Sequence, residues 1–114
     1  MHVCRSGQIV YFDIDDTLLE WKSCEEHDPG AVKVENNGHI FYKKQIKGNL
    51  DSLKEHAHAG HVVVVWSQGG SDWAASVVKA LGIEKYVDVI LTKPDWYYDD
   101  KDAEHWLPER QFIA

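Results

Sequence analysis

The sequence predicts an α/β fold: three-layer, doubly wound around a mainly parallel sheet, with a small β-hairpin flap after the first strand. Three observations predict it. Apolar runs at Ile9–Phe12, His61–Trp66 and Tyr86–Leu91 are rich in β-branched residues and lack polar alternation, as strands buried on both faces of a parallel sheet do. Segments with helical spacing of apolar residues precede the second and the third run, which is the strand–helix–strand order of right-handed crossovers. The dipeptide Asn37-Gly38 joins two short extended runs and suits a type I′ turn.

In chain order, the first strand is expected to be central and to end at Asp13, Asp15, Asp16 and Thr17. Glu20 to Gly30 is polar and irregular, and AVKVENNGHIFY then makes the hairpin, so the flap occupies about residues 20–45. From Asn49 the positions Leu50, Leu53 and Ala57 recur at helical spacing, with Asn49 as N-cap and Gly60 as the stop. His61–Trp66 is the second strand and leads into Ser67-Gln68-Gly69-Gly70. Ser71 is expected to cap a helix whose buried stripe is Ala74, Val77, Val78 and Leu81, with Gly82 at its C-terminal end. The third strand, Tyr86–Leu91, runs into Thr92-Lys93-Pro94, and a short extended piece, Trp96–Tyr98, reaches Asp99 and Asp100. Lys101–Trp106 is expected to form a turn of helix, Pro108 to end it, and Gln111–Ile113 to add an edge strand.

A chain of 114 residues is read as one domain, residues 1–114, that buries roughly two-thirds of its unfolded surface and leaves no room for a full cap domain. No apolar run approaches the roughly 20 residues of a membrane span, and MHVCRSGQ lacks the apolar stretch of a signal peptide. Cys4 and Cys24 do not make a disulfide framework, so a cytoplasmic monomer with reduced thiols is expected. A formal charge of -7 with neutral histidines argues against general nucleic-acid binding, which draws on Lys and Arg against phosphates. Lys43, Lys44 and Lys47 remain a local basic patch at the exit of the flap. His56, His58 and His61 read as surface residues, and most of the tryptophans as packing, with Trp21 near enough to the carboxylates to lie beside a ligand.

Ligands of open α/β sheets collect beyond the carboxyl ends of the strands, so Asp13, Asp15 and Asp16 should meet at one rim, where their repulsion calls for a cation. Ser67, Lys93 and the pair Asp99-Asp100 follow later strands and should reach the same rim. In this order the four groups resemble the motifs of the haloacid dehalogenase (HAD) superfamily of phosphohydrolases. The DxDx[TV] signature is met by Asp13-Ile14-Asp15-Asp16-Thr17, the strand-terminal Ser or Thr by Ser67, the lysine by Lys93 and the acidic pair by Asp99-Asp100.

The resemblance spans Gln8 to Lys101 and implies a HAD-like, capless or minimal-cap Mg2+-dependent phosphomonoesterase. Asp13 would be the nucleophile that forms an aspartyl-phosphate, and Asp15 the general acid and then base. Mg2+ would be held by Asp13, the Asp15 backbone carbonyl and Asp99 or Asp100, with Asp95 a weaker candidate. Lys93 would bridge Asp13 and a phosphoryl oxygen, while Ser67, the amides of Gln68 and Gly69, and Thr17 would hold the phosphate. Asp15 implies phosphoryl transfer, since the members that cleave carbon–halogen bonds lack that carboxylate. The chain departs from the family pattern in the short run from Lys93 to Asp99, which leaves no helix between the last two motifs. Two other classes compete: a phosphoacceptor receiver-like signalling domain, whose motif order differs, and a catalytically silent protein that binds Mg2+ or a partner on the same scaffold. The partner expected is a phosphorylated substrate, and sugar phosphates, nucleotides, nucleic-acid ends and phosphoproteins all remain open.

Overall fold

A computed structural model describes residues 7–107. Cys4, the expected stop at Pro108 and the expected edge strand Gln111–Ile113 lie outside the described residues. The elements are β1 (Ile9–Asp13), β2 (Ala31–Asn36), β3 (His39–Lys44), α1 (Lys47–His58), β4 (Val62–Ser67), α2 (Ser71–Leu81), a 3-10 turn (Glu84–Tyr86), β5 (Val89–Thr92) and α3 (Ala103–Trp106). The fold is small and α/β: β1, β4 and β5 form a parallel sheet in the order β1-β4-β5, and β2 and β3 form a separate antiparallel pair.

The register aligns Val10 with Val63, and Phe12 with Val65 and Ile90, on one face of the sheet. That face carries the core: Phe12, Val63 and Val65 pack with Leu50 and Leu53 of α1 and with Ala74, Val77 and Val78 of α2. Both crossovers step in the same direction across the sheet, and right-handed connections then put both helices on the same side. On the other face Ile9, Tyr11, Val89 and Leu91 are exposed, and Tyr11 and Trp66 cover one another edge to face with centroids 4.5 Å apart. Two expectations are corrected here. Among the described residues β4, not β1, is the central strand, and the apolar run of β1 is buried on one face rather than two. An unbroken apolar run does not say how many faces are covered, because residues on either face of a strand can be apolar for different reasons.

The hairpin turns as its sequence suggests: Asn36 pairs with His39 across Asn37 (φ 51) and Gly38 (φ 79), the left-handed conformations that a type I′ turn needs. It does not stand free. Val34 is fully buried, Ser76 Oγ donates to Asn36 Oδ1 at 3.0 Å, and the Phe41 ring meets Trp73 of α2 edge-on at 5.4 Å.

Helix α1 begins at Lys47, two residues before the expected cap. Asn49 is a buried first-turn residue whose Nδ2 donates to the Thr17 carbonyl at 2.8 Å, so its amide fastens the helix to the loop after β1 instead of capping it. Gly60 (φ 83) stops α1 as expected, and Gly82 (φ 67) closes α2 in the left-handed conformation. Ser71 is the first residue of α2 rather than its cap, and Gly70 occupies that position. The third strand starts later than predicted because Asp88 intervenes: its Oδ2 accepts from the Val63 amide at 2.8 Å and its own amide donates to the Val63 carbonyl. Trp96–Tyr98 is exposed and not a strand, whereas the turn of helix near Lys101–Trp106 is present as α3. Among the described residues no helix is long and apolar enough to cross a membrane.

Candidate active site

The loop that leaves β1 is built around the carbonyl of Ile14, which accepts from the amides of Thr17, Leu18 and Leu19 at 3.1, 2.9 and 3.2 Å. Ile14, Leu18 and Leu19 are fully buried, so they pin this loop into the core. Side chains alternate along an extended backbone, and burying Ile14 therefore turns Asp13 and Asp15 the other way, together. Asp16 sits at φ 62, which Asp tolerates better than most residues, and its Oδ1 accepts from the Trp21 amide at 2.8 Å. Asp16 shapes the turn and does not line the cavity that its neighbours share.

That cavity, of about 450 Å3, lies beyond the carboxyl ends of the strands and is lined by Asp13, Asp15, Trp21, Gln68, Gly69 and Lys93. Lys93 Nζ is 3.3 Å from Asp13 Oδ1 and 5.7 Å from the centroid of Trp66. The Lys93 amide donates to the Ser67 carbonyl at 3.0 Å, which ties the end of β5 to the end of β4. A second cavity, of about 360 Å3 at the hairpin tip, shares none of these lining residues.

Five of the sequence-predicted site residues thus reach one cavity, and others do not. Ser67 is buried at the end of β4, with its Oγ accepting from the Gly69 amide at 3.0 Å. That amide is engaged within the loop, so the expected pairing of Ser67 and the Gly69 amide on one phosphate does not hold in this arrangement. Thr17 turns its amide to Ile14 and its carbonyl to Asn49 and does not line the cavity. Asp99 and Asp100 lie in the exposed segment after Pro94, where Asp99 Oδ1 accepts from the Lys101 amide at 3.0 Å, and neither lines the cavity; nor does Asp95. Among the described residues no group of three His, Cys, Asp or Glu side chains is gathered as a metal site. The oxygen donors that are gathered, Asp13 and Asp15, fit Mg2+ in part, since that ion keeps several waters and is commonly held by one or two carboxylates plus a substrate phosphate.

Trp73, which reads in the sequence as packing, is the residue beside the carboxylates that pattern alone misses. From the first turn of α2 its Nε1–H donates to Asp15 Oδ1 at 3.2 Å. The signal available was general: a buried indole N–H needs an acceptor, and the carboxylates are the acceptors at this rim. Burial pushes the Asp15 carboxyl up from its ordinary value; the Trp73 hydrogen bond works against this, the Asp13 charge adds to it, and Lys43 and Asp16 make smaller opposed contributions. Lys43 is itself buried, donates to the Trp21 carbonyl and lies 5.2 Å from the centroid of the Trp21 ring. Lys47 pairs with Asp51 at 3.0 Å. The expected basic patch is therefore dispersed, because successive residues of β3 point to opposite faces and the helix claims Lys47.

Trp73→Phe keeps a ring against Phe41, removes the donor and gives up part of the indole's packing volume. If the chain hydrolyses phosphate esters, as the motif resemblance implies, turnover of an alkyl phosphate is expected to fall roughly tenfold or more, the scale of one hydrogen bond to a charged group, beyond any loss that the change in melting temperature accounts for. Steady-state kinetics beside a thermal melt checks this, and a lowered melting temperature with unchanged kcat would leave Trp73 as packing alone.

No family model matches the chain. No solved structure matches it either. The chain is similar to an uncharacterized 38.0 kDa protein of Autographa californica nuclear polyhedrosis virus, with 30% identity over 86 residues. The aligned stretch takes in 75% of this chain, which spans only about a fifth (21%) of the length of that viral relative.

Proposed function

We propose that this chain is a Mg2+-dependent phosphohydrolase of the HAD type, capless or nearly so, that works through an aspartyl-phosphate on Asp13. One observation carries the reading: chain segments up to 80 residues apart place Asp13, Asp15 and Lys93 on one cavity, with Lys93 Nζ 3.3 Å from Asp13 Oδ1. On this reading the parallel strands β1, β4 and β5 are the part of a doubly wound HAD-type sheet that bears the first three motifs.

The Asp13 carboxylate attacks phosphorus in line, and its P–O bond forms as the bond to the leaving oxygen breaks. Asp15 delivers its proton to that oxygen, a task suited to a carboxyl whose burial favours the protonated form. A water then attacks phosphorus of the aspartyl-phosphate, Asp15 takes its proton, and Asp13 is released. Lys93 stands as a fixed charge beside Asp13 and a phosphoryl oxygen, and Ser67, by accepting from the Gly69 amide, sets the turn that carries Gln68 to the remaining oxygens. Asp13 and the Asp15 carbonyl would hold Mg2+, which when bound neutralises charge on the phosphoryl group.

Phosphate release from an aryl phosphate is the test. It is expected to require Mg2+ and to stop on addition of chelator. Turnover that is indifferent to both would contradict the reading.

A further inference from the structure

The aromatic part of the cavity lining narrows the substrate of this site. Trp21 is 66% exposed, an unusual position for an indole, yet its backbone is tied on both sides. Its amide donates to Asp16 Oδ1 at 2.8 Å, and its carbonyl accepts from the Lys43 ammonium, which is buried and lies 5.2 Å from the ring centroid. A cation within about 6 Å of a tryptophan ring attracts it, and more strongly when the cation is desolvated. The backbone of Trp21 is thus tied at both its amide and its carbonyl, a buried cation stands by its ring, and the residue lines the same cavity as Asp13 and Asp15. Among the described residues the cavity has just one lysine in its lining, Lys93, already beside Asp13, and Lys43 is buried beside Trp21.

We propose that Trp21 is a stacking platform and that the site takes small, singly phosphorylated esters carrying a planar aromatic ring, such as a nucleobase. The proposal rests on the phosphohydrolase reading for the phosphate half of the ligand and on Trp21 for the other half. One cation near the nucleophile serves one phosphate, and among the described residues no second basic cluster lines the cavity to receive another. Lys43 is a positioning residue here, since it acts through Trp21 and does not touch the ligand.

The test uses substrates that differ in the ring and share the leaving oxygen. Adenosine 5′-monophosphate and ribose 5-phosphate both lose a primary alkoxide, so chemistry at phosphorus is matched and KM reports the ring. KM is expected to be roughly 5- to 150-fold lower for the nucleotide, the range that stacking of a base on an aromatic side chain supplies. Trp21→Ala should erase that ratio by raising KM for the nucleotide alone, and Trp21→Phe should keep most of it. Lys43→Met, which retains the stem without the charge, should narrow the ratio by raising KM for the nucleotide more than for ribose 5-phosphate. Equal KM values for the two substrates in the unaltered protein, or a Trp21→Ala loss equal for both, would overturn the proposal.

A second readout separates the two claims. Tryptophan fluorescence is titrated with adenosine 5′-monophosphate in the full chain and in Trp21→Phe. Quenching that is lost in the variant supports the platform even in a protein without turnover, an outcome that would remove the hydrolase reading alone. No quenching by the nucleotide, with aryl phosphate still hydrolysed, would remove the platform and leave the hydrolase reading standing.

Discussion

Asp13→Asn is expected to lower phosphate-ester hydrolysis by about 10⁴-fold or more, because loss of a covalent nucleophile leaves only binding and electrostatic contributions to the rate. The replacement matches the carboxylate in shape, and the Asp13–Lys93 pair that it weakens is partly exposed, so its contribution to stability is at most about 1 kcal/mol. Removing one charge from the rim also relieves repulsion among Asp13, Asp15 and Asp16. The folded protein should therefore survive with a melting temperature near that of the original, measured by circular dichroism beside the assay. A fold that survives with turnover unchanged would exclude Asp13 as the nucleophile.

Asp15→Asn should separate leaving groups. An alkyl phosphate needs its departing oxygen protonated and is expected to lose about 10²- to 10⁴-fold, the usual contribution of a positioned general acid. A nitrophenyl phosphate leaves without that help, and its first step should fall far less. Equal losses in that first step across a leaving-group series, read from the burst of released alcohol rather than from steady turnover, would make Asp15 positional. The same carboxyl bears on stability. Its value in the folded protein is raised, chiefly by burial, so the folded state holds this proton more tightly than the unfolded chain does. Stability from this group is then fully present below the ordinary carboxylate value and is lost as pH rises through the raised one. In the presence of chelator, Asp15→Asn should melt higher than the original protein above that window and match it below. A variant less stable at neutral pH would contradict the assignment of burial as the main cause.

What the sequence disclosed and what it concealed follow from the range of the forces involved. Local chemistry was legible: Asn37-Gly38 specifies its turn, Gly60 and Gly82 end their helices, and the apolar runs mark β1 and β4. The convergence of Asp13, Asp15, Gln68, Gly69 and Lys93 was legible too, because parallel strands bring their carboxyl ends to one rim. The rest depended on partners distant in the chain. Asn49 reads as a cap until the Thr17 carbonyl claims its amide. Lys43 reads as a surface charge until the Trp21 carbonyl draws it inward, and Trp73 reads as core until Asp15 is placed beside it. The order of strands was hidden for the same reason, since an apolar strand is equally apolar at the edge and at the centre.

The central claim, a phosphoryl group carried on Asp13, has a direct measurement. Asp15→Asn should form the intermediate from a nitrophenyl phosphate and then hydrolyse it slowly, because the base for the attacking water is gone. Rapid acid quench with Mg2+ present, tryptic digestion and mass spectrometry should find the peptide Ser6–Lys22 phosphorylated, with fragment ions placing the group on Asp13 and hydroxylamine removing it as it removes an acyl phosphate. Phosphate released over many turnovers with no adduct on that peptide, or a hydroxylamine-stable adduct elsewhere, would contradict it.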